Sequence, residues 1–347
     1  MSLFQVNSFD KQFYQEKLKD FLPETFIDCH THIWLDEQNH WGEKVSRSGN
    51  TWPSMVAKDN SVEDLNETNE LLFPEKKVIS VLYGEPSTSI DLKWNNDYVA
   101  HCAEKYGYPA LYLVHPTQSC ESIEREFEAH PCFKGLKVYL SFAPNYIPNP
   151  EIRIYDFLTP EHLALADRHG WVVQLHIARD RRLADPVNYI QLREIEEKYP
   201  NLQLIVAHLG RAYADEDIGD ALNYLKGTQK TIWDFTANTN ENVMRQVLEC
   251  FGPERFIYGT DFPIFRMKAR RTVENGFYIN EIPKGSLGDV SSDRHMREID
   301  YPEAESITFF IYEEIDSCRR ACQSLGLGKE DVEKIFYTTS ARVFGIK

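Results

Sequence analysis

Eight short apolar runs recur along the 347-residue chain: TFIDCH, KVISVLY, PALYLVH, FKGLKVYL, WVVQLHI, LQLIVAH, TIWDFTA and RFIYGTD. Each has strand length, and the longer segments between them, such as ESIEREFEA, TPEHLALADRHG, PVNYIQLREIEEKYP and NENVMRQVLECFG, carry apolar residues at helical spacing. Thr159 before Pro160 reads as an N-cap followed by a proline at the first helical position, and Gly170 stops that helix. Strand and helix alternating eight times outline an α/β fold, a (β/α)8 TIM barrel, with a doubly wound sheet as the weaker alternative.

We read residues 1–347 as one barrel domain with an extension over 1–24 and an insertion over 262–302 after strand eight. A long loop also follows strand one, WLDEQNHWGEKVSRSGNTWPSM, and is a candidate lid. Both long loops belong to the same barrel end. The closing stretch DVEKIFYTTSARVFGI is expected to form an amphipathic helix sealing the barrel exterior.

A net charge of −16 without a basic run argues against nucleic acid and anionic membrane surfaces as partners. The opening residues lack the continuous apolar core of a signal peptide, and no stretch has transmembrane length. Seven scattered cysteines without a C-x-x-C pair read as reduced thiols, so a cytoplasmic protein is expected, with homo-oligomerisation left open.

Function shows in where polar residues interrupt the apolar runs. His30 and His32 end strand one, Lys137 lies near the end of strand four, and His176, His208 and Asp261 end strands five, six and eight. Alternation in FKGLKVYL sends Leu136, Val138 and Leu140 toward the helices and Gly135, Lys137 and Tyr139 inward. The same count turns His176 inward with Gln174 and Val172, His208 inward with Val206 and Leu204, and Cys29 outward. Any one of these histidines is more often a hydrogen-bonded core residue than a ligand. Together they would each carry a desolvation cost of about 1 to 3 kcal/mol without a common partner. A divalent metal supplies that partner, with zinc the first expectation and manganese or iron the alternatives.

The ordered set DCHTH, GLKVY, QLHI, AHLGR and YGTDFP resembles the amidohydrolase superfamily, in particular its amidohydrolase-2 branch, over residues 25–347. The resemblance implies that His30, His32, His176 and Asp261 hold the first metal, with one ion favoured over two. It gives His208 either a second metal or the reacting oxygen, and leaves Lys137 as an ammonium or as a carbamylated bridge between two ions. The implied activity is that of a metal-dependent hydrolase, in which Asp261 shuttles the proton of a metal-activated hydroxide attacking an amide, ester or lactone.

Arg179, Arg181, Arg182, Arg211 and Arg266 follow closely on these strand ends and suggest a small substrate carrying a carboxylate or phosphate, with Arg211 the leading partner. Trp34, Trp41 and Trp52 in the first long loop are candidates to cover an apolar part of it. A non-oxidative decarboxylase on the same scaffold is the alternative chemistry, and a catalytically silent binder the third reading. Lys137 leans toward hydrolysis, and the presence of both His208 and Asp261 weighs against a silent protein.

Overall fold

A computed structural model describes residues 2–38 and 53–346. Eight parallel strands run in sequence order around a nearly closed barrel: β1 Thr25–His32, β2 Lys77–Tyr83, β3 Ala110–Leu113, β4 Phe133–Val138, β5 Val172–Leu175, β6 Gln203–Val206, β7 Ile232–Asp234 and β8 Phe256–Ile257. All eight apolar runs are strands. The segment after β8 completes the circuit, where Cys29 N–H donates to Tyr258 O (3.1 Å), Asp261 N–H to His30 O (2.9 Å) and His32 N–H to Phe262 O (2.9 Å). Helices intervene as the sequence indicates: Pro160–His169 starts with Thr159 accepting from His162 N–H and ends at Gly170 with φ 66°.

Two hydrophobic layers follow from strand alternation. Leu136, Val138, Leu204 and Val206 pack outward against helices, while Ile27, Val81, Leu111, Val172, Ile205, Ile232 and Ile257 fill the barrel interior. Gly135 is required by close approach, because a Cβ there would lie 2.0 Å from the Val172 carbonyl oxygen.

Two expectations are corrected. Cys29 faces the interior in step with Ile27 two positions before it, and the bulge between Asp28 and Thr31, in which Cys29 and His30 together oppose one residue of β2, turns His30 inward as well. Leu204 and Val206 point outward, so His208 does not enter by strand parity; the chain turns left-handed at His208 (φ 58°) and Leu209 (φ 51°) just beyond β6. The terminal stretch is helical throughout as expected, its turns Lys329–Glu333, Lys334–Thr338 and Thr339–Phe344 running on without a break. Ile335 and Phe336 pack with the outer layer, and Phe344 at its end joins the interior cluster.

The insertion forms a small three-stranded sheet ordered β11-β10-β9, from β9 Arg270–Glu274, β10 Phe277–Pro283 and β11 Met296–Ile299. Arg271 anchors it: Nη1 donates to Ala237 O (2.6 Å), and the guanidinium lies 4.8 and 4.6 Å from the Tyr213 and Tyr278 ring centres. In the N-terminal extension, buried Asp10 accepts from Lys268 Nζ (2.7 Å) and Thr308 Oγ1 (2.9 Å), tying the first turns to the far end of the chain. Most of the candidate lid, 39–52 with Trp41 and Trp52, lies outside the described residues.

Candidate metal centre

The polar residues collect where the strands end. His30 lies in the bulge of β1 and His32 just beyond it, and Asp261 reaches them from the turn after β8. Gly259 makes that approach feasible, since a Cβ there would sit 2.6 Å from His30 Cβ and 2.3 Å from Thr236 Oγ1. Asp261 Oδ1 lies 3.2 Å from His32 Nε2 and 3.4 Å from His30 Nε2.

Each histidine is held from behind. His30 Nδ1 meets Asp234 Oδ2 at 3.2 Å, His32 Nδ1 meets Gly84 O at 3.0 Å, His208 Nδ1 meets Thr236 O at 3.0 Å, and His176 Nδ1 meets Ile177 O at 3.1 Å. Carboxylate and carbonyl oxygens can only accept, so Nδ1 carries a proton in all four rings and Nε2 is the nitrogen each ring turns to the site. Nε2 of His30 and of His32 both converge on the Asp261 carboxylate. His30, His32 and Asp261 offer ligand atoms within 4.8 Å of one another, a donor set that suits a divalent cation.

Electrostatics agree with the geometry. Burial, reinforced by the Lys137 charge, pulls His30 down to about 3, and burial lowers His208 and, with His208 and Arg211, His176. These imidazoles therefore stay neutral, as ligands must. Burial works against the Asp261 charge, but the His32 contact outweighs it and holds the carboxyl below the ordinary range. Lys137 is fully buried, its Nζ 3.4 Å from His30 Nε2 and 4.6 Å from the Tyr83 ring centre. Burial brings it down to about 8 against the pull of Asp234 and Asp261.

His176 and His208 stand beside this triad, their ring centres 5.0 Å apart, with that of His208 4.8 Å from His30 and that of His176 4.5 Å from Tyr139. The arginines separate into two kinds. Arg179 Nε is paired with Asp185 Oδ2 at 2.9 Å and Arg182 Nη1 with Asp217 Oδ2 at 2.6 Å, so their charges are already met. Among the described residues Arg211 Nη1 donates to the Arg179 carbonyl (3.3 Å) and no carboxylate pairs with it. Arg181 is exposed, and among the described residues Arg266 makes a long 3.5 Å contact to Asn60 Oδ1. Trp34 is buried, its indole N–H donating to Lys58 O at 3.0 Å and its ring 6.5 Å from His32, so it forms a fixed wall beside the centre.

Sequence reasoning missed Asp234. This fully buried residue ends β7 and contacts His30, the His208 backbone and Gln174. Its signal was present in TIWDFTA, because an acid two positions after interior-facing Ile232 shares that residue's face. Backbone strain marks the same rim: of nine described non-glycine residues with left-handed φ, seven lie in the turns after β5 to β8, namely Arg179, Arg182, His208, Leu209, Arg211, Ala237 and Asp261.

Barrel and rim together define an enzyme of the superfamily that builds its chemistry at the ends of β-strands. The family model described as Amidohydrolase, of the amidohydrolase-2 type, matches residues 27–283, and the chain belongs to that family. No curated protein matches it. Among solved structures, an amidohydrolase from Burkholderia multivorans with bound zinc is 12% identical, covering 93% of this chain and 100% of its own, with TM-score 0.60. A probable 2-pyrone-4,6-dicarboxylic acid hydrolase from Acinetobacter baumannii with citric acid bound is 16% identical over 92% of this chain and 99% of its own, with TM-score 0.54. A 2,6-dihydroxybenzoate decarboxylase complexed with 2,6-dihydroxybenzoate is 10% identical over 93% of this chain and 100% of its own, with TM-score 0.55. At these identities the likeness is one of fold.

Proposed function

We propose that the protein is a metal-dependent hydrolase acting on an amide, ester or lactone of a small anionic substrate, with His30, His32, His176 and Asp261 holding one divalent ion, zinc first. The observation that carries this reading is the convergence of Nε2 of His30 and of His32 on the Asp261 carboxylate, at 3.4 and 3.2 Å. The zinc in the Burkholderia protein, on the same fold, is consistent with the choice of ion. A divalent ion bound there would bring the pKa of a coordinated water toward neutrality and polarise the substrate carbonyl.

The remaining roles fall to the chain itself. Asp261 accepts a proton from the attacking water and passes it to the leaving group. His208, its Nδ1–H fixed by Thr236 O, turns its other nitrogen to the reacting oxygen. Lys137 offers a cation to a substrate oxygen, and Arg211, free of any described carboxylate, pairs with the substrate's anionic group. Trp34 gives the apolar side of the pocket. Citrate in the Acinetobacter protein supports a carboxylate-bearing substrate.

Decarboxylation is the second reading, supported by the dihydroxybenzoate decarboxylase on the same fold. It would need His208 or another acid to protonate carbon rather than Asp261 to shuttle a proton from water. The deciding experiment incubates zinc-loaded protein with small carboxylic acids, lactones and amides in heavy-oxygen water and identifies products by mass spectrometry. Hydrolysis gives a product that has gained labelled oxygen. Release of carbon dioxide without label overturns it.

A further inference from the structure

We propose that Asp234 is the positioning residue of this centre: it ligates no ion, but sets the ring of His30 and the backbone of His208 so that both present Nε2 to the site. Asp234 Oδ2 accepts from His30 Nδ1–H (3.2 Å) and Gln174 Nε2 (2.9 Å), and Oδ1 accepts from the His208 N–H (2.8 Å). One carboxylate thereby ties β1, β5 and the turn after β6 to the end of β7. It is completely buried.

His30 lies between two carboxylates, Asp234 at Nδ1 and Asp261 at Nε2 (3.4 Å). A ring nitrogen that donates its proton cannot also hold an ion, so the two acids divide the imidazole: Asp234 fixes the tautomer and Asp261 shares the ligand edge. His30, His208 and Asp234 also lie within 4.8 Å of one another and could be taken for a ligand triad. The hydrogen bonds exclude that use. His208 directs its own Nδ1 to Thr236 O, and both Asp234 oxygens are committed to nitrogen donors. Asp234 has a second task at His208, whose φ of 58° is one that L side chains rarely adopt; the bond to its N–H holds that turn. Removing the carboxylate would leave Nε2 of His30 free to take the proton and block the ligand edge.

The test is Asp234→Asn in the full-length protein. The amide keeps the volume but has one oxygen where two serve three N–H donors, and its own N–H must face one of them. Zinc affinity, measured by chelator competition, is expected to fall about 10- to 100-fold. Long-range proton–nitrogen NMR of the metal-free protein is expected to show His30 as the Nδ1–H tautomer in the wild type and to lose that preference in the variant. A purely structural residue would lower the unfolding temperature and leave the tautomer alone. Unchanged zinc affinity in a folded variant overturns the proposal, as does X-ray absorption showing that the variant has lost one oxygen ligand. Should Asp234→Asn fail to fold, the wild-type spectrum decides: an Nε2–H tautomer at His30 refutes the assignment. The affinity readout rests on the metal-dependent reading above, whereas the tautomer does not. A wild type that binds no zinc therefore removes that reading without touching the tautomer test, and a zinc-binding protein that releases carbon dioxide removes only the hydrolase assignment.

Discussion

The two ends of the barrel interior are built from the same strands, only a few residues apart, and they are opposites. At the base, Ile27, Val172, Ile205 and Ile232 close around Phe344 in a layer of ordinary strand geometry. At the rim, His30, His32, Lys137, Gln174, His176, His208 and Asp234 are equally buried but polar, and the turns around them are strained. Apolar side chains at the base need only volume and alternation. Each polar group at the rim needs a partner at hydrogen-bonding distance, and second partners such as Gly84 O, Thr236 O and Asp234 supply them. The base holds the barrel together so that the rim can keep its acceptors crowded.

That division can be broken most sharply at Asp261. Asp261→Asn is expected to lower kcat on the order of a thousandfold, through loss of the proton acceptor together with a weakened ligand. Steady-state kinetics on the substrate found by the library screen check it, with bound zinc measured alongside. The unfolding midpoint should change little by comparison. At the base the pattern inverts: Ile205→Ala should cost about 2 to 5 kcal/mol in urea unfolding, as a large-to-small core change does, while kcat/KM stays near wild type. Equal damage to turnover would mean the two ends are not energetically separate.

Lys137 tests the border between them. Lys137→Met keeps the buried stem and removes the charge, and should raise KM about tenfold, the scale of one charged hydrogen bond, with zinc staying near one per chain. Loss of a second ion that returns with added short carboxylates would instead identify a carbamylated bridge.

The smallest effect is the pH dependence of the metal-free protein. His30 titrates at about 3 when folded against 6.5 when unfolded, so the unfolded chain takes up the proton first. Its share of stability is intact above 6.5 and is lost as pH falls toward 3, as are those of His176 and His208, which are lowered too. The slope is at most about 1.4 kcal/mol per pH unit for each histidine. Asp28 runs the other way. Burial raises it to about 7 from 3.8, so its contribution is present at low pH, disappears as pH rises through 7, and flattens the curve. Glu313 and Glu314, which burial also raises, act in the same sense as Asp28, so urea unfolding between neutral and mildly acidic pH should give a shallow curve. Ile205→Ala should displace that curve without changing its slope, because the base layer lacks a group that titrates there.

Most of the barrel was legible because strand and helix periods are local: all eight runs became strands, and the Thr159–Pro160 start and Gly170 stop of one helix stood as written. The site was legible to the level of residue type and strand end. Parity failed where the chain left regular strand geometry. The bulge in β1 could not be counted through, because neither Cys29 nor His30 is a glycine or proline that would announce the break, and in the left-handed turn after β6 Gly210 comes only after His208 and Leu209 have already left the strand. Among the arginines the sequence put Arg211 first, but that Asp185 has claimed Arg179 was beyond reach, because the pairing depends on where the chain carries that carboxylate.

By itself, then, the sequence determined the alternation that makes a barrel and the set of imidazoles and carboxylates able to serve an ion, because periodicity and side-chain chemistry are properties of residues. Tertiary structure alone decided which nitrogen each histidine presents, which arginine keeps its charge available, and that Asp234 stands behind His30 across a separation of 204 residues. Those are properties of pairs. A tautomer is set by whatever acceptor arrives at the other edge of the ring, and no local pattern says which strand will bring it.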